Sequence, residues 1–206
     1  METENEHSDG EIAYELHGNC YINLTNHCTL RCAFCPKFNK QWTVQGYPLR
    51  LKKDPTVNQI LDAVGDVSRY KEIVFCGLGE PTLKLGILLR VASALKKQGA
   101  YIRLNTDGLG NLVQGMDITP KLAGKIDAIS ISVNAQNEEV YNQHCRPPQS
   151  GTFPAIFDFI EAAIQHIDDI TLTAIEGLEN VDIDAVAAIA SYYNVKFRKR
   201  VLDKVG

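Results

Sequence analysis

The chain has 206 residues, of which 45% are hydrophobic, and its formal net charge is −4. This composition excludes a disordered chain and is typical of one globular domain with a substantial core. The acidic balance argues against a nucleic-acid footprint across the surface, so nucleic acid is not expected as a partner. No apolar run could span a bilayer and no signal-peptide pattern opens the sequence, so we expect no membrane partner and a cytoplasmic protein.

Strands and helices alternate along the sequence. Hydrophobic periodicity predicts six strands, over residues 20–25, 72–76, 101–105, 126–133, 170–175 and 195–201. It predicts helices over residues 83–98, 153–167 and 182–193, and an earlier helix with Asp54 as its N-cap and Pro55 at its first position. Residues 42–51 are expected to be irregular. We predict an N-terminal tail over residues 1–17 and a single domain over residues 18–206.

This alternation predicts an α/β fold with a parallel sheet. One face of each strand is apolar, whereas the other face is largely polar, with Asn23, Thr25, Arg103, Asn105, Ser130, Ser132, Asn134, Thr171, Thr173, Lys196, Arg198 and Arg200. A doubly wound sheet is covered on both faces and is apolar throughout. The polar face therefore favours a partial (βα)6 TIM-like barrel with its helices outside and a pocket in its lumen.

Three cysteines lie within eight residues, at Cys28, Cys32 and Cys35, in the spacing CxxxCxxC. Closely spaced thiolates select zinc, copper(I) or an iron–sulfur cluster. A cubane cluster is usually held by four cysteines, so three local thiolates leave one iron open for another ligand. A zinc site completed by His27 or Cys20 is the alternative.

This motif, with an aromatic residue before its last cysteine, resembles the signature of the radical S-adenosylmethionine (SAM) enzymes. In its length and in the sequences of its motifs, the chain most resembles the small TatD-associated radical SAM proteins. The resemblance implies a [4Fe–4S] cluster on the three cysteines, with SAM on the fourth iron. One electron would cleave SAM to a 5′-deoxyadenosyl radical that abstracts hydrogen from a substrate. Phe34 stands where the family has an aromatic beside the adenine.

Polar groups and glycines follow the next three strands. The segment Gly77-Leu78-Gly79-Glu80-Pro81 resembles the family's glycine-rich GGEP motif, with Leu78 in place of a glycine. The resemblance implies that Gly77, Gly79 and Glu80 approach the methionine moiety, and that Asn105, Asp107, Ser132 and Asn134 contribute to the same SAM site. For each small polar residue, a capping or turn role is the alternative.

Two further residues are candidates for chemistry. Cys145, placed in the loop after the fourth strand, could donate a hydrogen atom to a substrate radical. Its neighbour Arg146 could bind the SAM carboxylate or an anionic substrate. The residual thiol Cys76 is expected to be a small buried hydrophobe.

The resemblance predicts an enzyme but leaves its substrate open. The lumen arginines favour a small anionic substrate. The alternatives are activation of a partner protein by making a glycyl radical, and modification of a peptide or nucleic acid. A non-catalytic zinc or iron–sulfur module is the alternative from a different class. The family resemblance also implies an electron donor such as flavodoxin or ferredoxin. The short barrel is expected to leave its lower lumen open, which would fit a large or protein-borne substrate, or a partner that caps it.

Overall fold

The computed structural model describes residues 10–38 and 41–202. Seven strands form one sheet in the order β1-β2-β5-β6-β7-β8-β9, and two short strands form a separate hairpin. The strands are β1 (Ala13–Leu16), β2 (Asn19–Ile22), β3 (Thr43–Val44), β4 (Tyr47–Pro48), β5 (Ile73–Phe75), β6 (Ile102–Thr106), β7 (Ala128–Ser132), β8 (Asp169–Glu176) and β9 (Lys196–Val201). All neighbours from β2 to β9 are parallel, and β1 is antiparallel to β2. The predicted α/β fold with six parallel strands is confirmed.

Helices follow the parallel strands along the chain. They are α1 (Val57–Val64), α2 (Leu85–Lys97), α3 (Gly110–Gln114), α4 (Thr119–Leu122), α5 (Glu138–Cys145), α6 (Thr152–Ala163) and α7 (Ile183–Tyr192). Short 3-10 turns precede β5 and α2. The apolar stripe of α2, which includes Leu88, Val91 and Leu95, belongs to one buried core with the apolar strand residues Ile102 and Leu104. Within the described ranges, no helix is long and apolar enough to cross a membrane.

The predicted N-terminal tail is wrong for its last part, because Ala13–Leu16 is strand β1. His17 and Gly18 both have positive φ angles, 55° and 78°, and join β1 to β2 in the tight two-residue turn that hairpins favour. Tyr14 is buried by this pairing. Residues 1–9 of the predicted tail lie outside the described residues.

A second hairpin replaces the predicted irregular stretch over residues 42–51. Gln45 and Gly46, with φ angles of 48° and 87°, form the turn between β3 and β4. The first long helix also begins later than predicted. Thr56 is the N-cap of α1 and makes a capping box with Gln59. Asp54 instead forms an ion pair with Lys84 at 2.5 Å.

The predicted loop around Cys145 is a helix. Cys145 is the last residue of α5, whose N-cap Asn137 accepts a hydrogen bond from the Val140 amide. Arg146 ends this helix with a left-handed backbone. The stretch is polar and its apolar periodicity is weak, so the pattern of hydrophobic residues did not reveal it.

Candidate active site

A cavity of about 270 Å³ lies where the parallel strands end and the following loops begin. This is the edge at which barrel folds place their active sites. It brings together the three cysteines of the CxxxCxxC motif and polar groups from four strands. The lining includes Cys28, Cys32, Phe34, Cys35, Cys76, Gly77, Gly79, Glu80, Asn105, Asp107, Ser132, Asn134, Arg198 and Arg200.

The loop that carries the three cysteines is held by the end of α5. The amide of Ala33 donates to the carbonyl of His144 at 2.8 Å, and the amide of Arg31 donates to the carbonyl of Cys145 at 3.1 Å. A hydrogen bond with the Cys145 thiol, followed by burial, raises the pKa of Cys32. Burial raises the pKa of Cys35. Both thiols therefore hold their protons more tightly than a free cysteine does, and a metal that binds them has to displace those protons.

The donor set fits an iron–sulfur cluster better than a single ion. Among the residues that the structure describes, no three His, Cys, Asp or Glu side chains converge on one metal-ion position. A cubane binds each thiolate to a different iron, so its ligands need no such convergence. Unpartnered polar atoms also face the region: Asn105 Oδ1, Ser130 Oγ and Arg200 Nε are buried without a hydrogen-bond partner. Such orphaned atoms are expected where a polar ligand completes a site.

The glycines at 77 and 79 are required by close backbone approach. A Cβ atom on Gly77 would collide with the side chain of Asn23, and one on Gly79 would collide with the carbonyl oxygens of Thr25 and His27. The amide of Glu80 donates to the carbonyl of His27 at 2.8 Å. These glycines therefore press the loop after β5 against the segment that leads into the cysteine motif. Sequence reasoning assigned them only to an approach to the methionine moiety.

Glu80 is buried and has a structural role at the rim of the cavity. Its Oε1 accepts hydrogen bonds from the amide and hydroxyl of Thr82, at 3.0 and 2.7 Å, and from the hydroxyl of Thr106 at 2.8 Å. Its Oε2 accepts from the amide of Asp107 at 2.9 Å. Four donors thus occupy its carboxylate, so Glu80 holds the surrounding loops together and does not fit the predicted direct approach to the methionine moiety. Burial raises its pKa.

Asp107 connects the third strand end to the cysteine motif. Its Oδ2 accepts a hydrogen bond from the Thr29 hydroxyl, and its Oδ1 accepts from the Leu109 amide at 3.0 Å. Burial, and then the charge of Glu80, raise the pKa of Asp107 well above its usual range. Two neighbouring buried carboxyls with raised pKa values favour a shared proton over two full charges.

Two arginines of β9 provide the positive charge of the cavity. Arg200 donates from Nη2 to Asn134 Oδ1 at 3.1 Å, and burial lowers its pKa. Among the described residues, neither Arg198 nor Arg200 forms an ion pair with a carboxylate. Arg103, the third predicted lumen arginine, is different because it forms a two-pronged pair with Glu72 at 2.9 and 2.8 Å.

Two predicted site residues lie outside the cavity. Cys145 is 0% exposed, contacts Cys32, and accepts a hydrogen bond from Asn134 Nδ2 at 3.7 Å. Its thiol supports the cysteine loop from behind and does not face the cavity, so the structure does not support a direct hydrogen-donor role. Arg146 is exposed and lies in a separate surface groove with Arg31 and Phe38, and it does not line the cavity.

The sequence did not predict Tyr14 and Val44 as lining residues, because they come from the two unpredicted hairpins. Ser130 and Thr173 line the cavity from the polar faces of β7 and β8, which the sequence predicts to face the lumen. The dipeptides His17-Gly18 and Gln45-Gly46 were the available signals for the hairpins. Cys76, expected to be a buried core thiol, lines the cavity and is partly exposed.

A second cavity of about 560 Å³ occupies the opposite end of the lumen. It is lined by polar residues near the strand starts, including Asn19, Glu72, Asp169 and Lys196. Asn105, Ser130 and Arg198 line both cavities. The polar lumen therefore extends from the cysteine motif to the lower end of the barrel.

A family model described as the radical SAM superfamily matches residues 22–192. The chain is 31% identical over 136 residues to a GTP 3′,8-cyclase of Streptomyces coelicolor, covering 64% of this chain and 36% of that protein. It is 26% identical over 171 residues to a probable GTP 3′,8-cyclase of Thermococcus kodakarensis, covering 80% of this chain and 50% of that protein. The chain thus spans half or less of the length of these relatives.

Solved structures share the fold at low sequence identity. The maturase HydG from Carboxydothermus hydrogenoformans superposes with a TM-score of 0.62 at 20% identity, over 90% of this chain and 44% of that one. TYW1 with a lysine–pyruvate adduct superposes with a TM-score of 0.61 at 15% identity, over 91% of this chain and 65% of that one. The closer resemblance to TatD-associated proteins stays a prediction.

Proposed function

The chain belongs to the radical SAM superfamily, and on that premise we propose that its cavity combines a [4Fe–4S] cluster and SAM with a small anionic substrate. Members of this superfamily use both cofactors. When bound, they supply a 5′-deoxyadenosyl radical that abstracts a hydrogen atom. In this proposal Cys28, Cys32 and Cys35 are the cluster ligands, because their thiols line one cavity.

The chain's own residues would hold SAM and exclude water. Phe34 provides an apolar surface beside the cysteines for the adenine, and Asn105, Ser132 and Asn134 provide polar groups at the strand ends. Asn105 Oδ1 is the strongest candidate for a direct contact, since it is buried and unpartnered. Asp107, Gly77, Gly79 and Glu80 would position the loops that surround the cofactor. The role of Glu80 in this proposal is support.

The uncompensated charge of Arg198 and Arg200 carries the substrate proposal. A guanidinium facing a cavity without a carboxylate partner favours an anion, and its planar fork matches carboxylate and phosphate groups. Half-buried Arg200 has one buried Nε donor without a partner for such a group. Two relatives are named for a reaction of GTP, which is a polyanion, so the charge of their named substrate agrees with this proposal.

The test begins with anaerobic reconstitution with iron and sulfide, followed by reduction and an assay for 5′-deoxyadenosine. A panel of anions that includes GTP is then added, and stimulation of SAM cleavage is measured. Arg198→Gln should raise the anion concentration for half-maximal stimulation about 10- to 100-fold, the equivalent of one charge-assisted hydrogen bond. Lys199→Gln is the matched control, because Lys199 lies between the two arginines and pairs with Glu176 at 2.8 Å.

Two results would contradict this proposal in different ways. If the protein binds zinc, stays colourless and leaves SAM intact, it is a metal-binding module without turnover. If SAM is cleaved but Arg198→Gln responds to the stimulating anion as the unmodified protein does, the enzyme remains and the anion site is wrong.

A larger substrate is the second candidate, favoured by the polar cavity at the lower end of the lumen. Because Asn105, Ser130 and Arg198 line both cavities, a group presented from below could extend toward the cysteines. A peptide, a nucleic acid or a protein that receives a glycyl radical would belong to this class. Stimulation of SAM cleavage by such a macromolecule, and by none of the small anions, would favour it.

A further inference from the structure

Two thiols lie against each other on the inner side of the cysteine loop. The thiol of Cys32 shares a hydrogen bond with the thiol of Cys145. Cys145 belongs to the buried core and is 0% exposed, and Cys32 packs against that core. Cys32 is only partly buried and also lines the cavity. The pair therefore joins one proposed cluster ligand to a cysteine for which the proposed function has no chemical role.

The backbone holds these two cysteines side by side. The residues before and after Cys32 both donate to the end of α5. The Arg31 amide binds the Cys145 carbonyl at 3.1 Å, and the Ala33 amide binds the His144 carbonyl at 2.8 Å. A disulfide needs Cα atoms within about 7 Å and side chains that face each other. Segments joined by backbone hydrogen bonds lie about 5 Å apart, which meets the first requirement, and the contact between the two thiols meets the second.

The Cys145 thiol is fixed in this position by a second side chain. Asn134 Nδ2 donates to Cys145 Sγ at 3.7 Å, and Asn134 Oδ1 is itself held by Arg200 at 3.1 Å. Cys145 is also the last residue of α5, so its backbone is held by the helix. A thiol held in this way has little freedom to reach a distant cysteine. The neighbouring Cys32 is therefore its partner.

We propose that Cys32 and Cys145 form a reversible redox site, in which a disulfide closes between them when the metal-free protein meets a peroxide. The inference rests on the proposed function in one respect, because a disulfide at Cys32 matters for activity only if Cys32 is a cluster ligand. Peroxide enters through the cavity and oxidises the Cys32 thiol to a sulfenic acid, which releases one water. The Cys145 thiol then attacks this sulfur, the S–O bond breaks, the S–S bond forms, and a second water leaves. The peroxide gains two electrons, one from each sulfur.

This disulfide protects Cys32 and blocks it at the same time. A sulfenic acid without a neighbouring thiol is oxidised further to a sulfinic acid, which thiol reductants do not reverse. A disulfide, by contrast, returns to two thiols by exchange with a dithiol. Because Cys145 is buried, it stays a thiol until Cys32 has reacted. The metal-free protein thus survives the oxidant and takes up iron again after reduction.

The test uses the chain stripped of metal with a chelator, treated with equimolar hydrogen peroxide and then alkylated. The unmodified protein should lose two of its six thiols, and peptide mapping should find Cys32 joined to Cys145. Iron uptake on reconstitution should fall as the disulfide forms, and dithiothreitol should restore it. After peroxide, iron uptake by Cys145→Ala should stay low even with dithiothreitol. Cys20→Ala removes another buried thiol outside the motif and should behave as the unmodified protein does.

Peptide mapping of the unmodified protein decides the pairing even if Cys145→Ala fails to fold. A disulfide between Cys32 and Cys35, or Cys32 recovered as a sulfinic acid, overturns the proposal. Full recovery of iron uptake by Cys145→Ala after peroxide and dithiothreitol also overturns it, because Cys145 would then protect nothing. If the fully reduced protein takes up no iron and sulfide, the proposed function fails, and the peptide map alone then decides the redox pair.

Discussion

Glu80 offers the sharpest test of how the loops around the cavity are held together. Replacement by Ala leaves two buried amides, those of Thr82 and Asp107, without acceptors, together with two hydroxyls. A buried unsatisfied donor costs about 1–3 kcal/mol, so the two amides alone cost about 2–6 kcal/mol. Removing a buried carboxyl beside Asp107 offsets part of this loss. We therefore expect Glu80→Ala to lower the free energy of unfolding by about 2–4 kcal/mol.

Glu80→Gln should cost less than the alanine variant. The amide oxygen can still accept from Thr82 and Thr106, while the amide nitrogen faces the N–H of Asp107. One orphaned donor corresponds to about 1–3 kcal/mol. The assay is urea unfolding of the metal-free protein, followed by far-ultraviolet circular dichroism.

Asp66 supplies a matched control for the effect of burial. It caps a 3-10 turn by accepting from the amide and hydroxyl of Ser68, at 2.9 and 2.8 Å, in an exposed position. Asp66→Ala should therefore cost less than Glu80→Ala. The reasoning is refuted if Glu80→Ala unfolds within about 0.5 kcal/mol of the unmodified protein, a range typical of surface substitutions.

Further predictions concern the same loops. Gly79→Ala should reduce iron incorporation on reconstitution, because its Cβ would collide with the carbonyl oxygens of Thr25 and His27, which precede the cysteine motif. Gly86→Ala is the control, since a Cβ there has open space and should leave the iron content unchanged. The pKa of Asp107 is raised in the folded state, so its protonated carboxyl contributes stability below the unfolded-state pKa of about 4, and this contribution is lost as the pH rises through the folded-state pKa. In urea unfolding between pH 4 and 7, the stability of Asp107→Asn should therefore rise relative to that of the unmodified protein. A difference that stays constant with pH would contradict this. Cys145→Ala should retain the cluster, since its buried thiol lies outside the triad, and loss of iron on reconstitution would contradict this expectation.

The parallel strands were predictable because their side chains alternate strongly. Leu104 is buried, whereas its neighbours Arg103 and Asn105 face the lumen, so a period of two identified both the strand and its inner face. The rule that barrel sites lie at the carboxyl ends of the strands then predicts the cysteines, Gly77 and Asn105 at one edge from the sequence alone. The strands and the edge that carries the site therefore follow from the local sequence and general rules of topology.

The remainder depended on contacts that the sequence does not encode locally. The short hairpins carry weak periodicity and are identified by left-handed turns at His17-Gly18 and Gln45-Gly46. The resemblance to the GGEP motif implies a cofactor role for Glu80, whereas its carboxylate accepts four hydrogen bonds from Thr82, Thr106 and Asp107, which no local pattern reveals. The polar stretch around Arg146 and its guanidinium predict an anion-binding role, but the left-handed end of α5 places Arg146 at the surface while Cys145 is buried.

The Asn134 side chain links the lumen to the cysteine loop. It accepts from Arg200 through its oxygen and donates to the Cys145 thiol through its nitrogen, and Cys145 in turn contacts Cys32. A ligand that draws Arg200 away would free the oxygen of Asn134, whose nitrogen holds the Cys145 thiol, so the lumen and the cysteine loop can be coupled through this side chain. Such a coupling is reciprocal in a thermodynamic cycle. If a ligand in the lumen stabilises one electronic state of the cysteine loop, the protein in that state binds the ligand more tightly by the same free energy.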